Sequence, residues 1–176
     1  MKAYDEIWGI AEDNFGVITS AKAEDLGVSR QNMVAMERTG VLTRLCHGVY
    51  QVKHHVPGPN DFYGVGVAMV GENAYLRGAS VIGMLNLTPT NPGLIYVGAE
   101  NRVRRRLPTG FRIKDRTACK TIQYEGYEGI SCQPVLEALQ TAKEEGAIEC
   151  DRIADAAKKA YEKGFITDEE CAQFQA

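Results

Sequence analysis

The order of helices, turns and strands expected over residues 20–52 is the feature that most constrains the fold of this chain. Ser20 is placed to cap a short helix that runs to about Leu26. Gly27 lies in the tight turn that follows, because glycine tolerates the left-handed backbone conformation that often ends a helix. Ser29 is placed to cap a second helix. A short helix, a turn and a second helix in this order predict a helix-turn-helix.

The second helix is expected to end at Gly40, and two short extended runs follow it. His47 and Gly48 lie between the runs and predict the turn of a hairpin. The apolar residues that dominate the two runs are Leu42, Leu45, Val49, Tyr50 and Val52. A hairpin directly after a helix-turn-helix is typical of a winged helix, and a helix-turn-helix places its second helix in the major groove of DNA.

The start of the second helix carries the candidates for contacts to base edges. Arginine can bind guanine through two hydrogen bonds, and asparagine or glutamine can bind adenine in the same way. Residues beside this helix and near the hairpin tip are candidates for contacts to the DNA backbone. The predicted DNA-binding residues are Lys22, Ser29, Arg30, Gln31, Asn32, Arg44 and His47.

A second interpretation of this segment is an exposed polar helix that binds protein, since winged helices also serve as adaptors. His47 is equally compatible with an ordinary turn residue, and Lys22 with solvated surface. Met33, Val34 and Met36 are expected to form the core-facing side of the second helix.

Charge is strongly segregated along the 176 residues, although the formal net charge is −3. Residues 102–120 have a net charge of +7, residues 29–53 a net charge of +3, and residues 121–176 a net charge of −7. Because a local field depends on where charges lie, these segments predict two positive faces and an acidic end.

An arginine-rich run, with two basic residues that follow it, is the second candidate binding site. Guanidinium groups bind phosphate or carboxylate in pairs, so either a nucleic acid or an acidic protein surface would suit them. The alternative is a solvated loop that pairs with the acidic end of the same chain. The predicted partner or phosphate contacts are Arg102, Arg104, Arg105, Arg106, Arg112 and Lys114.

The composition argues against several classes of protein. The five cysteines are scattered without a Cys-x-x-Cys pair, which predicts reduced thiols. The sequence contains neither an apolar run of about 20 residues nor a secretion-signal pattern at its start, so a cytoplasmic location and no membrane partner are expected. Metal-ligand and nucleotide-binding motifs are absent as well. We therefore expect no enzyme activity, no cofactor and no metal.

The fold class expected is α+β in three parts. Residues 1–56 form the winged helix-turn-helix domain, and residues 57–146 form a small mixed α/β domain that carries the basic loop. Residues 147–176 form an acidic helical tail. Within the second part, residues 121–124 and 129–132 are expected to be strands. In the tail, Asp151 is placed to cap one helix, and Thr167 opens a capping box for another.

The segments "GVITSAKAEDLGVS" and "MERTGVLTRLCHGVYQV" resemble the N-terminal domain of the AbiEi family, the antitoxins of type IV toxin–antitoxin systems. The later segments "AYLRGASVIGMLNL", "LIYVGAE" and "RVRRRLPTGFRIKDR" are similar to the family's second domain. The resemblance covers about residues 5–145 and is stronger at its start. The acidic tail has no counterpart in it.

The resemblance implies a repressor of its own operon that also neutralises a nucleotidyltransferase toxin. The implied partners are double-stranded operator DNA and that toxin. It also implies a monomer or weak homodimer that binds inverted repeats cooperatively. The basic segment, Arg102–Arg106 with Arg112 and Lys114, would match the part of the second domain that is tied to antitoxicity.

Overall fold

The computed structural model describes residues 2–175. It is a mixed α+β structure, as expected from the sequence. The helices are α1 (Lys2–Glu12), α2 (Ser20–Asp25), α3 (Arg30–Arg38), α4 (Asp61–Val70), α5 (Ala79–Met84), α6 (Val135–Glu144), α7 (Cys150–Glu162) and α8 (Asp168–Ala172). The strands are β1 (Val17–Thr19), β2 (Leu42–Cys46), β3 (Val49–Val52), β4 (Ala74–Leu76), β5 (Ile95–Ala99) and β6 (Phe111–Lys114).

The chain divides into two compact units. One contains the residues up to Glu72 together with Arg104–Thr109, and the other contains Asn73–Val103 together with the residues from Gly110 onward. Contacts therefore group residues 57–72 with the helix-turn-helix, although the sequence suggested a boundary near residue 56. The three-part domain division itself stays a prediction.

The first unit is a helix-turn-helix with a three-stranded antiparallel sheet of order β1-β3-β2. Ile7 and Ala11 lie one turn apart on α1 and are completely buried, since a spacing of four places both on one helix face. They belong to a core that includes Ile18, Ala23, Val28, Met33, Leu42, Tyr50 and Val52. This core joins α1, the helix-turn-helix and the hairpin.

Helix α4 is part of the first unit and is positioned by a glycine and by a contact between a histidine and an aspartate. Gly64 lies so close to the Phe15 ring that a Cβ atom there would overlap it. His55 Nε2 and Asp61 Oδ2 are 2.6 Å apart, with both side chains only 15% exposed. Asp61 Oδ1 also accepts a hydrogen bond from the Gly58 amide. These contacts tie α4 to the segment that follows the hairpin.

Two helix caps differ from the sequence prediction. Thr19, not Ser20, is the N-cap of α2, and its hydroxyl accepts from the Lys22 amide across 3.2 Å. Glu149 is at the N-cap position of α7, while Asp151 lies inside the first turn. The cap of α2 lies one residue earlier than expected and that of α7 two residues earlier, because the exact end of a helix is poorly specified by the local sequence.

The second unit contains a three-stranded sheet of order β4-β5-β6. Strands β4 and β5 are antiparallel, whereas β5 and β6 are parallel. Two strands expected at residues 121–124 and 129–132 are reduced to isolated bridges, one between Ile122 and Cys132 and one between Cys132 and Leu76 of β4, so that prediction was wrong. Gly-rich turns surround both segments, and the chain there adopts turns instead of extended ladders.

The acidic C-terminal segment is an integral part of the second unit. Helix α7 packs against α6 and α8, and its inward face is completely or almost completely buried at Ile153, Ala156, Ala157 and Ala160. Thr167 and Glu170 form the predicted capping box at α8, so that prediction is confirmed. Within residues 2–175, no helix is long and apolar enough to cross a membrane.

Candidate nucleic-acid interface

Helix α3 is fixed at its start by Ser29 and on its inner side by Met33. The Ser29 hydroxyl accepts a hydrogen bond from the Asn32 amide across 3.2 Å, which confirms the predicted cap. Met33 is 1% exposed and belongs to the core. Arg30, Gln31 and Asn32 are all exposed in the first turn. The helix therefore presents three hydrogen-bonding side chains to solvent from a fixed backbone.

Arg30 has an ion-pair partner that the sequence pattern did not indicate. Its Nε lies 2.6 Å from Glu24 Oε1 on α2. Both side chains are well exposed, so the pair is a surface ion pair worth about 0–1 kcal/mol. Such a weak pair can orient the guanidinium without preventing its transfer to another acceptor.

The outward face of α3 includes an apolar strip. Val34 was expected to face the core, but its side chain is 37% exposed, so that expectation was wrong. The reason is the register of the helix: Met33 already fills the core position, and the next residue is rotated about 100° away from it. The residues that line this outward face are Arg30, Gln31, Val34, Ala35, Arg38 and Thr39.

The hairpin is the predicted wing. Strands β2 and β3 pair antiparallel and are joined at His47 and Gly48, with an irregularity in register between Arg44 and Cys46. The Ser20 amide donates to the Gly48 carbonyl across 2.9 Å, which attaches the wing turn to the start of α2. The wing is therefore held by the helix-turn-helix itself.

Arg44 and His47 are neighbours at the wing. Arg44 Nη2 lies 3.2 Å from His47 Nδ1, and both side chains are exposed. Burial raises the pKa of the nearby Cys46 thiol, and the positive charges of Arg105 and Arg44 partly oppose that shift. Lys22 is also exposed, on α2. The structure thus leaves all seven predicted DNA-binding residues accessible to solvent.

The predicted basic cluster is divided between the two units. Arg104, Arg105 and Arg106 belong to the first unit, and Arg102, Arg112 and Lys114 to the second. Arg105 is half-buried, and the other five are exposed. Among residues 2–175, no ion pair involves Arg102, Arg112 or Lys114, so pairing of these second-unit residues with the acidic end is not observed there.

Several residues of this surface were missed by sequence reasoning. Glu24 lies beside Arg30, while Ala35, Arg38 and Thr39 extend the outward face of α3 by one turn. Helical spacing would have placed Ala35, Arg38 and Thr39 there, because they lie four residues after Gln31, Val34 and Ala35. Glu24 lies on α2, and no spacing within α3 indicates it.

Comparison with known families supports the resemblance noted above for part of the chain. Residues 10–53, about a quarter of its length, match the family model described as "Transcriptional regulator, AbiEi antitoxin". The AbiEi resemblance is confirmed over this segment. The matched range runs from α1 to the residue after β3, so it contains the whole helix-turn-helix and its wing. No curated protein shows a significant match to the chain.

Proposed function

We propose that this chain is a DNA-binding transcriptional regulator that represses its own operon. The observation that carries the proposal is the start of α3, where Ser29 fixes a helix end that exposes Arg30, Gln31 and Asn32. These are the side chains that can read guanine and adenine edges in a major groove. The family description for residues 10–53 adds independent support.

The wing supplies the second contact in this proposal. Arg44 and His47 contact the phosphate strand beside the groove that α3 occupies, and Lys22 contacts the backbone from α2. Backbone contacts position the protein on the duplex, whereas base contacts select the sequence. The apolar strip at Val34 and Ala35 suits the methyl group of thymine.

The test is binding of the full chain to duplex DNA from its own upstream region, measured by fluorescence anisotropy between 50 and 200 mM salt. We expect a complex whose affinity falls steeply with salt, because each neutralised phosphate releases a counterion. We also expect preference over a duplex of the same composition in shuffled order. Failure to bind either duplex at 50 mM salt would refute the proposal and would favour a protein-binding role for the same surface.

We further propose that the chain neutralises a nucleotidyltransferase toxin, without enzyme activity of its own. The matched family description includes the word antitoxin. Exposed Arg102, Arg112 and Lys114 on the second unit provide a positive surface for an acidic partner. The second unit lies entirely outside the segment matched by the family model, so this role needs its own test.

That test is growth rescue in cells that express the neighbouring toxin gene. We expect the wild-type chain to restore growth, and the R112A/K114A double variant to restore it poorly while operator binding stays normal. The exposed K158A/K159A pair on α7 removes the same charge and serves as the control. Equal rescue by all three proteins would contradict the proposed toxin-binding surface.

The oligomeric state completes the proposal. We propose a monomer or weak homodimer in solution, with two copies that bind an inverted repeat cooperatively. Sedimentation of the free protein and of its complex with an intact repeat measures this. A stoichiometry of one copy on the intact repeat at saturation would contradict it.

A further inference from the structure

The arginine-rich run lies in an unusual connection. Strands β5 and β6 are parallel, so the chain must return along the length of β5 before it can begin β6. In this protein the return is the loop of residues 100–110, which contains no helix. The middle of this loop, Arg104–Thr109, belongs to the first unit, which also contains the helix-turn-helix and α4.

Arg105 anchors the loop at the end of α4. Its Nη1 donates a hydrogen bond of 2.5 Å to the carbonyl oxygen of Met69. Met69 lies in the last turn of α4, where carbonyl groups have no partner inside the helix and the helix dipole is negative. A cation is therefore favoured at this position. Arg105 is half-buried, and its charge is used within the fold.

Arg104 and Arg106 differ from Arg105 in exposure. Burial alternates along the loop, so these two side chains are exposed while Arg105 is not. Neither has an ion-pair partner among residues 2–175. Three adjacent positive charges repel one another, and an external anion would relieve that repulsion. Because the backbone is anchored at Arg105, the two exposed guanidinium groups are positioned to bind such an anion.

The anchored loop belongs to the same unit as the wing. The charges of Arg105 and Arg44 both act on the thiol of Cys46, the last residue of β2. Cys46 precedes His47 at the wing turn. The loop and the wing are both parts of the first unit, and the basic side chains of each add to the positive field of that unit.

We propose that Arg104 and Arg106 form a phosphate clamp in the same unit as the wing, so that a loop between two strands of the second sheet becomes a third element of the DNA interface. This inference rests on the proposed DNA-binding function. Guanidinium groups bind phosphate oxygens in pairs, and backbone contacts of this kind carry no sequence information. The clamp increases affinity for all duplexes and adds to the salt dependence of binding.

The test compares three full-length proteins: wild type, R104A/R106A and K158A/K159A. The control pair is exposed on α7 in the second unit and removes the same net charge. Binding to the upstream duplex and to a shuffled duplex is measured from 50 to 200 mM salt. Each phosphate contact contributes about 0.9 to the slope of log affinity against log salt, so the loss of two lowers the slope by about 1.8.

We expect R104A/R106A to bind both duplexes more weakly at 50 mM salt. The deficit relative to wild type should shrink about tenfold by 200 mM, as that slope change requires. K158A/K159A should behave as wild type. Unchanged affinity and slope for R104A/R106A, or equal losses in both variants, would overturn the clamp while leaving DNA binding intact.

Two other outcomes separate the alternatives. Normal DNA binding by R104A/R106A together with failed toxin neutralisation would overturn the clamp and assign the loop to a protein partner. If the wild-type chain itself binds neither duplex at 50 mM salt, the proposed function fails, and the clamp fails with it.

Discussion

Arg30 and Glu24 are joined by an ion pair of 2.6 Å that connects the two helices of the helix-turn-helix. The pair engages Nε of Arg30, so its two Nη groups are the ones that would approach a guanine edge. Glu24 also places a negative charge at the surface that we propose for DNA. It therefore orients Arg30 and at the same time disfavours binding to phosphate.

Replacement of Glu24 by Gln tests this double role. We expect E24Q to bind shuffled DNA up to about fivefold more tightly, because a repulsive charge is removed and Arg30 is released to the backbone. Binding to the upstream site should improve less, so the ratio of the two affinities should fall. Anisotropy titrations measure both, with E12Q on α1 as a charge control. A ratio that rises in E24Q would contradict the proposed role of the pair.

The orientation of α3 is tested by two neighbouring residues. Met33→Ala removes a buried side chain, so we expect it to lower the free energy of unfolding by about 2–5 kcal/mol. Val34→Ala changes an exposed one and should alter it by less than about 0.5 kcal/mol. Urea denaturation measures both values. Comparable losses would show that α3 is rotated from the orientation described above.

Gly64 and Gly9 form a matched pair for the packing of α4. A Cβ atom at Gly64 would overlap the Phe15 ring, whereas one at Gly9 meets nothing within 4 Å. We expect Gly64→Ala to destabilise the protein by about 1–3 kcal/mol through overpacking. Gly9→Ala lies in α1 and should stabilise it by about 0.5–1 kcal/mol. Thermal unfolding provides the readout, and stabilisation by both changes would contradict the position of α4.

Alkaline pH should weaken the second unit. Burial raises the pKa of Tyr75 and of Tyr124 to about 12, from an ordinary value of 10.0. Because the folded-state pKa is the higher one, the stability due to each neutral phenol is complete below pH 10 and is lost as the pH rises towards about 12. Calorimetry across this range should show a fall in Tm that is smaller in Y75F and Y124F. A fall in Tm in Y75F and Y124F as large as that of the wild type would refute the contribution of these two phenols.

Local patterns in the sequence predicted much of the first unit. The Ser29 cap and the His47–Gly48 turn depend on residues within three or four positions of each other, so the local sequence is sufficient. Val34 was misplaced because an apolar residue next to a buried one on a helix can point either towards the core or towards solvent. Its exposure depends on which neighbour fills the core.

Contacts between distant parts of the chain could not be predicted. The hydrogen bond from Arg105 to Met69 joins residues 36 positions apart, and no local pattern specifies it. The same holds for the division of the basic cluster between the two units and for the packing of α4 beside Phe15. These contacts depend on tertiary structure, because the connections between helices and strands determine which distant residues become neighbours.

In the proposed complex, the start of α3 reads bases while the wing holds the DNA backbone. The most direct measurement is the affinity of N32A and R44A for the upstream duplex and for the shuffled duplex at one salt concentration. We expect N32A to lose about 1–3 kcal/mol on the upstream duplex and almost nothing on the shuffled one, and R44A to lose equally on both. Equal losses for N32A on the two duplexes would contradict base reading by α3.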